Sequence, residues 1–155
     1  MRLFGMPANA VWLTLSGLLP FIGLAALVWG ARPEPGLSGQ AAMALLVYGA
    51  LILSFLGGVR WGAEINAQGS GGIPRTPLLA LSVLGALAAW ALVVIALATG
   101  ITWPVLAGLA AAHLVHGVWD ADGAGLPLWF RRLRIIAATG AVLSLLAAAA
   151  AYALR

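Results

Sequence analysis

The chain has 155 residues, of which 63% are hydrophobic and only 8% charged, and its mean hydropathy is +1.06. A water-soluble domain keeps about a quarter of its residues charged, so this composition excludes one and leaves an integral membrane protein solvated mostly by lipid. The net charge of +4 comes from arginines beside apolar runs, with no lysine. That pattern belongs to topology determinants facing headgroups and excludes a nucleic-acid surface.

In chain order, span 1 covers residues 10–30, with Pro20 in its middle. Its apolar run is too long for a signal-peptide core and no small-x-small cleavage site follows, so it is expected to remain as a span. Pro20 removes a backbone donor and should kink the helix, which neighbouring helices would have to cover. The segment from Arg32 to Gly39, Arg-Pro-Glu-Pro-Gly-Leu-Ser-Gly, is expected to be a loop in which Ser38 caps the next helix. Span 2 covers residues 39–61 and its helix continues towards Ala67. Gln68 to Pro77 is a Gly- and Pro-rich loop. Spans 3, 4 and 5 cover residues 78–98, 103–119 and 133–154, separated by the short Thr99–Thr102 connection and a loop from Asp120 to Pro127. Each run approaches the roughly 20 residues needed to cross the hydrocarbon core. The expectation is an all-α, polytopic bundle of five transmembrane helices forming one domain over residues 1–155, without a soluble domain or an internal repeat.

Arginine counting orients the bundle. Arg2, Arg60, Arg75, Arg131, Arg132 and Arg134 fall on one side, Arg32 and Arg155 on the other. The excess places the N-terminus in the cytoplasm (or mitochondrial matrix) and the C-terminus outside, in the periplasm of a bacterial cell. Trp12, Trp61, Trp119 and Trp129 then mark the inner boundary, and Trp29 and Trp103 the outer one. Trp90 lies deeper and is expected to be buried against another helix. The Ala- and Gly-rich, Lys-free composition fits a GC-rich bacterial source.

Span 2 is the organising element. At about 100° per residue, Gly49, Leu53, Gly57, Arg60 and Glu64 share one stripe, and Ser54, Gly58 and Trp61 form a second beside it. Small residues let helices approach closely in lipid, so Gly49, Ser54, Gly57 and Gly58 are the expected packing positions. In span 4, His113, His116 and Asp120 recur at i, i+3 and i+7 on a common face. With about 1.5 Å of rise per residue, His113 lies about 15 Å from Trp103, near the membrane midplane. Ionisable groups at that depth face the bundle interior or a cavity. Arg60, Trp61, Glu64, His113, His116 and Asp120 are therefore the candidate cavity residues.

Several chemistries compete for this set. Cysteine is absent, which excludes disulfides, thiolate catalysis and Cys-ligated metal. His113, His116 and Glu64 or Asp120 are weak candidates for a metal site, because the spacing matches no binding motif. The two histidines project from one side of one helix and so cannot ligate both faces of one haem. His113 could donate to a proton or quinone site in an apolar cavity. The plainer alternative, favoured by the sequence, is that these groups bond to backbone or to one another and hold the helices together. Arg60 and Glu64 alone would make an i, i+4 pair worth a few tenths of a kcal/mol. Gly36-Leu-Ser-Gly39 has the form of an intramembrane serine protease motif but precedes a span, where a capping serine suffices. Asp120-Ala-Asp-Gly opens like a calcium loop but has Arg131 at the twelfth position, where a Glu is needed.

Three segments carry a family resemblance: Leu19-Pro-Phe21, Tyr48-Gly-Ala-Leu-Ile-Leu-Ser-Phe-Leu-Gly-Gly-Val-Arg-Trp-Gly62 and Leu126-Pro-Leu-Trp-Phe-Arg-Arg-Leu-Arg134. Together they resemble the membrane family of unknown function (domain of unknown function 3429) that includes transmembrane protein 69. The resemblance covers nearly the whole chain but leaves out span 4 and its histidines. It implies a bacterial inner-membrane protein and supplies no catalytic residue. The resulting expectation is a non-enzymatic bundle in the lipid bilayer without a cofactor, a scaffold or assembly partner for other membrane proteins. The alternative is a binding or carrier protein for a small apolar ligand (quinone or lipid) or a metal, held in a cavity between spans 2 and 4.

Overall fold

The computed structural model describes residues 2–3, 5–32, 34–69, 76–122 and 126–154. Arg75 and Arg155, much of the Gln68–Pro77 loop and the middle of the Asp120–Pro127 loop lie outside them. Five helices follow one another: α1 (Ala8–Gly30), α2 (Pro35–Gly69), α3 (Thr76–Thr99), α4 (Trp103–Asp122) and α5 (Leu128–Ala153). Among the described residues, α1, α2, α3 and α5 are long and apolar enough to cross a membrane. The remaining helix, α4, carries both histidines and two aspartates. Ahead of α1, β1 (Arg2–Leu3) and β2 (Met6–Pro7) form a two-stranded antiparallel ribbon, an addition to the expected all-helical fold. Gly5 turns it with φ +77°. Met6 docks against Val11 and Leu133, tying the ribbon to α1 and α5.

Several helices overrun their apolar spans, because a charge ends a hydrophobic run without ending a hydrogen-bonded helix. The first of these, α2, begins at Pro35, where a proline costs no helical donor. Ser38 is therefore inside the helix and does not cap it; its hydroxyl is buried and donates to the Val28 carbonyl of α1 at 3.1 Å. At 35 residues, α2 is about 52 Å long, well beyond the hydrocarbon thickness. Asp120 belongs to α4 and not to a loop, and α5 starts at Leu128, five residues before the expected Leu133. The helix α1 continues through Pro20. Near Pro20 the Tyr48 hydroxyl of α2 donates to the Gly17 carbonyl at 2.8 Å, tying α2 to this stretch of α1.

The helices close in a ring, α1 against α2, α2 against α3, α3 against α4, α4 against α5 and α5 against α1, with α2 also touching α4 across the middle. On α3 the buried residues are Ser82, Ala89 and Ala96, seven apart, so only a narrow seam faces the bundle. Trp90 falls outside that seam and is 65% exposed, in contrast to the burial expected for it. At the end where α1 stops and α2 begins, Val28, Leu45, Leu46, Leu106, Leu109 and Leu145 pack into an apolar core. That end is tied by the Trp29 indole donating to Ala147 and by Arg32 donating to Leu154. The opposite end, where α2 and α4 stop and α5 begins, is built on charge.

Candidate functional site

The two stripes of α2 separate cleanly in three dimensions. Gly49, Leu53, Gly57, Arg60 and Glu64 face inward, whereas Ser54, Gly58 and Trp61 face outward. A Cβ on Gly57 would fall 2.2 Å from the Ser82 carbonyl oxygen, so α2 and α3 touch backbone to backbone there. A Cβ on Gly49 would fall 2.7 Å from Leu109 and 3.5 Å from His113. One on Gly58 would meet nothing within 4 Å. Ser54 and Gly58 therefore pack no helix of this bundle, and Trp61 turns away from the charged residues.

Arg60 reaches across to α4. Its Nε donates to Asp120 Oδ1 at 2.8 Å, its Nη2 donates to the Trp119 carbonyl, and its guanidinium lies 4.5 Å from the Trp119 ring centre. From α5, Arg134 Nε donates to Asp120 Oδ2, also at 2.8 Å. One carboxylate, 1% exposed, thus joins α2, α4 and α5 through two buried guanidiniums. Arg131 Nε adds a bond to the Ala121 carbonyl across the same α4–α5 turn. Buried charges persist only when paired, and removing one partner typically costs about 3–5 kcal/mol. Glu64 is buried one turn beyond Arg60.

Arg134 was legible only as a topology arginine, since it stands beside an apolar run. The signal for its structural role is the buried Asp120 carboxylate of α4, which needs a cation within reach of a short hairpin. The two histidines divide. His113 is buried, and its Nε2 donates to the Gly49 carbonyl at 3.0 Å, locking α4 to α2. Its ring meets Phe21 edge-on with centres 5.5 Å apart. His116 packs edge-on against Trp119, and its Nε2 lies 3.8 Å from Asp120, too far for a hydrogen bond. Among the described residues no three His, Cys, Asp or Glu side chains converge as a metal site, so His113, His116 and Glu64 are not gathered into one.

Two polar atoms in this region have no partner among the described residues, His116 Nε2 and Arg134 Nη2. Leaving a buried donor unsatisfied costs about 1–3 kcal/mol, more when it is charged. Arg134 also lines a crevice of about 370 Å³ enclosed by α1, α2, α4 and α5. Its walls include Phe21, Ile52, Phe55, Trp129 and Phe130, and His113 and Arg134 stand among them. The crevice lies off the α2–α4 contact expected to hold a cavity, and Arg60, Trp61, Glu64, His116 and Asp120 do not line it.

The model of the family described as "Protein of unknown function (DUF3429)" matches residues 6–150. The chain belongs to this family. Transmembrane protein 69 of Xenopus tropicalis is 39% identical over 144 residues, covering 90% of this chain and 53% of the relative. The chain therefore spans about half the length of that relative. No solved structure matches it. The triad and the crevice fall inside the matched region, so they belong to the family portion of the chain.

Proposed function

We propose that the chain is a single-domain, five-span protein of the bacterial inner membrane that binds a small apolar ligand in the crevice between α1, α2, α4 and α5. The orientation that fits has the N-terminus in the cytoplasm and the C-terminus in the periplasm. Arg2, Arg60, Arg131, Arg132 and Arg134 gather at the Asp120 end, and Arg32 stands at the other. The observation that carries the binding reading is the crevice itself. Its volume is within the range of ligand pockets, its walls are mostly aliphatic and aromatic, and among its few polar side chains His113 and Arg134 are buried. Exposed Leu13 on α1 and Phe55 on α2 flank it, which gives a ligand a route from the bilayer.

Native mass spectrometry of protein extracted in a mild detergent tests this. The expected result is one stoichiometric small-molecule mass, absent from a Thr14→Trp variant that fills the crevice and keeps its thermal stability. A bare chain that also takes up nothing from added total lipid extract would overturn it. The outward face of α2 supports a second role, contact with another membrane protein, because Ser54, Gly58 and Trp61 present a close-packing surface that this bundle does not use. In that case Gly58→Leu abolishes co-purification of the partner, while unchanged co-purification rules out this face.

A further inference from the structure

Resting on the binding reading above, we infer that the ligand is a single-chain amphiphile with an acidic head, of the long-chain carboxylate type, and that Arg134 receives the head. Among the described residues lining the crevice, Arg134 is the one charged side chain, and no carboxylate lines it. Arg134 is only 7% exposed, so water does little to solvate its charge. Its Nε is committed to Asp120, but Asp120 is shared with Arg60, and Arg134 Nη2 has no partner among the described residues. A guanidinium presents five donors in a planar fork suited to a carboxylate. Asp120 fixes the plane of that fork, acting as a positioning residue for the side that remains free. Glu64 lies on α2 beyond Arg60 and outside the crevice wall, so it does not supply the missing acceptor there.

The other polar side chains in the wall point to the same donor: the Thr14 hydroxyl is neutral and a weaker partner for an anion than a guanidinium. His113 already spends its Nε2 hydrogen on the Gly49 carbonyl. His116, the other side chain with an unpartnered atom, does not line the crevice. The acidic head therefore meets Arg134, while the chain runs along Phe21, Ile52 and Phe55 towards the opening beside Leu13. A volume of about 370 Å³ is near the lower end of ligand pockets and suits one alkyl chain better than two.

The test uses the full chain in phosphatidylcholine nanodiscs, titrated separately with oleate, oleyl alcohol and dioleoyl phosphatidylglycerol and read by native mass spectrometry. Oleate is expected to bind one-to-one and about tenfold or more tighter than oleyl alcohol, as a charge-assisted contact requires. Arg134→Gln should erase that preference, and Thr14→Trp should remove binding of both. The wild-type comparison of acid with alcohol stands even if Arg134→Gln fails to fold. Equal binding of oleate and alcohol would overturn the acidic head while leaving the crevice as a binding site. Tighter binding of phosphatidylglycerol than of oleate would overturn the single-chain assignment. Binding of none of the three would remove the binding reading as well.

Discussion

The two ends of the bundle are held by different physics. At the Arg32 end, leucines and alanines of α1, α2, α4 and α5 interdigitate, and the polar groups present bond to backbone carbonyls. At the Asp120 end, one carboxylate between two guanidiniums ties three helices together. In lipid, apolar surface gains little by leaving one hydrocarbon environment for another, so association depends on close packing or on hydrogen bonding. The first end relies on many weak contacts that degrade gradually. The second relies on a few strong ones, each of which exposes an unpaired charge when removed.

Asp120→Asn should break that contrast most sharply. It leaves Arg60 and Arg134 facing each other without a carboxylate, and the expected loss is about 3–5 kcal/mol in reversible unfolding from detergent micelles. A smaller loss than that of a core truncation such as Leu106→Ala, itself about 2–5 kcal/mol, would mean the ionic end contributes no more than the apolar one. Next comes Gly57→Ala, whose methyl group collides with the Ser82 carbonyl. Pushing α2 from α3 should cost about 1–3 kcal/mol, whereas Gly58→Ala should change stability by less than about 0.5 kcal/mol. Equal effects at the two glycines would contradict the inward and outward assignment of the stripes. Smallest is Tyr48→Phe, which deletes the bond to Gly17 beside Pro20 and should cost about 0.6 kcal/mol, the mean for interhelical hydrogen bonds in membranes.

The sequence revealed the elements well and their facing poorly, for one reason. Long apolar runs mark helices in lipid because each must satisfy its backbone internally, so all five helices were legible, as was the gathering of Arg60 and Asp120 at one end. Which side of a helix faces protein is harder, because lipid and protein interior are both apolar. Ser54 and Gly58 on α2 look as suited to packing as Gly49 and Gly57, and Trp90 looks as suited to burial as to a lipid-facing position. Arg134 was hidden differently. Arginine at the start of a span has a sufficient explanation in topology, and only the fold reveals that this one is buried on a carboxylate fourteen residues earlier. The crevice was invisible, since it needs four helices at once.

The α4–α5 turn has a consequence for how the chain is made. In the five-span arrangement proposed above, α4 would bring two histidines and Asp120 into the bilayer, and among the described residues it falls short of the apolar window that the other four helices reach. Its carboxylate is matched by Arg134, delivered by the very next helix within a hairpin that spans 120 to 134. During synthesis Arg60 of α2 is already present for Asp120 Oδ1, while Oδ2 lacks its partner until the first turns of α5 have emerged. The two helices are best suited to enter the membrane as one neutralised unit, which makes their order in the chain part of the solution to inserting an acidic residue into oil.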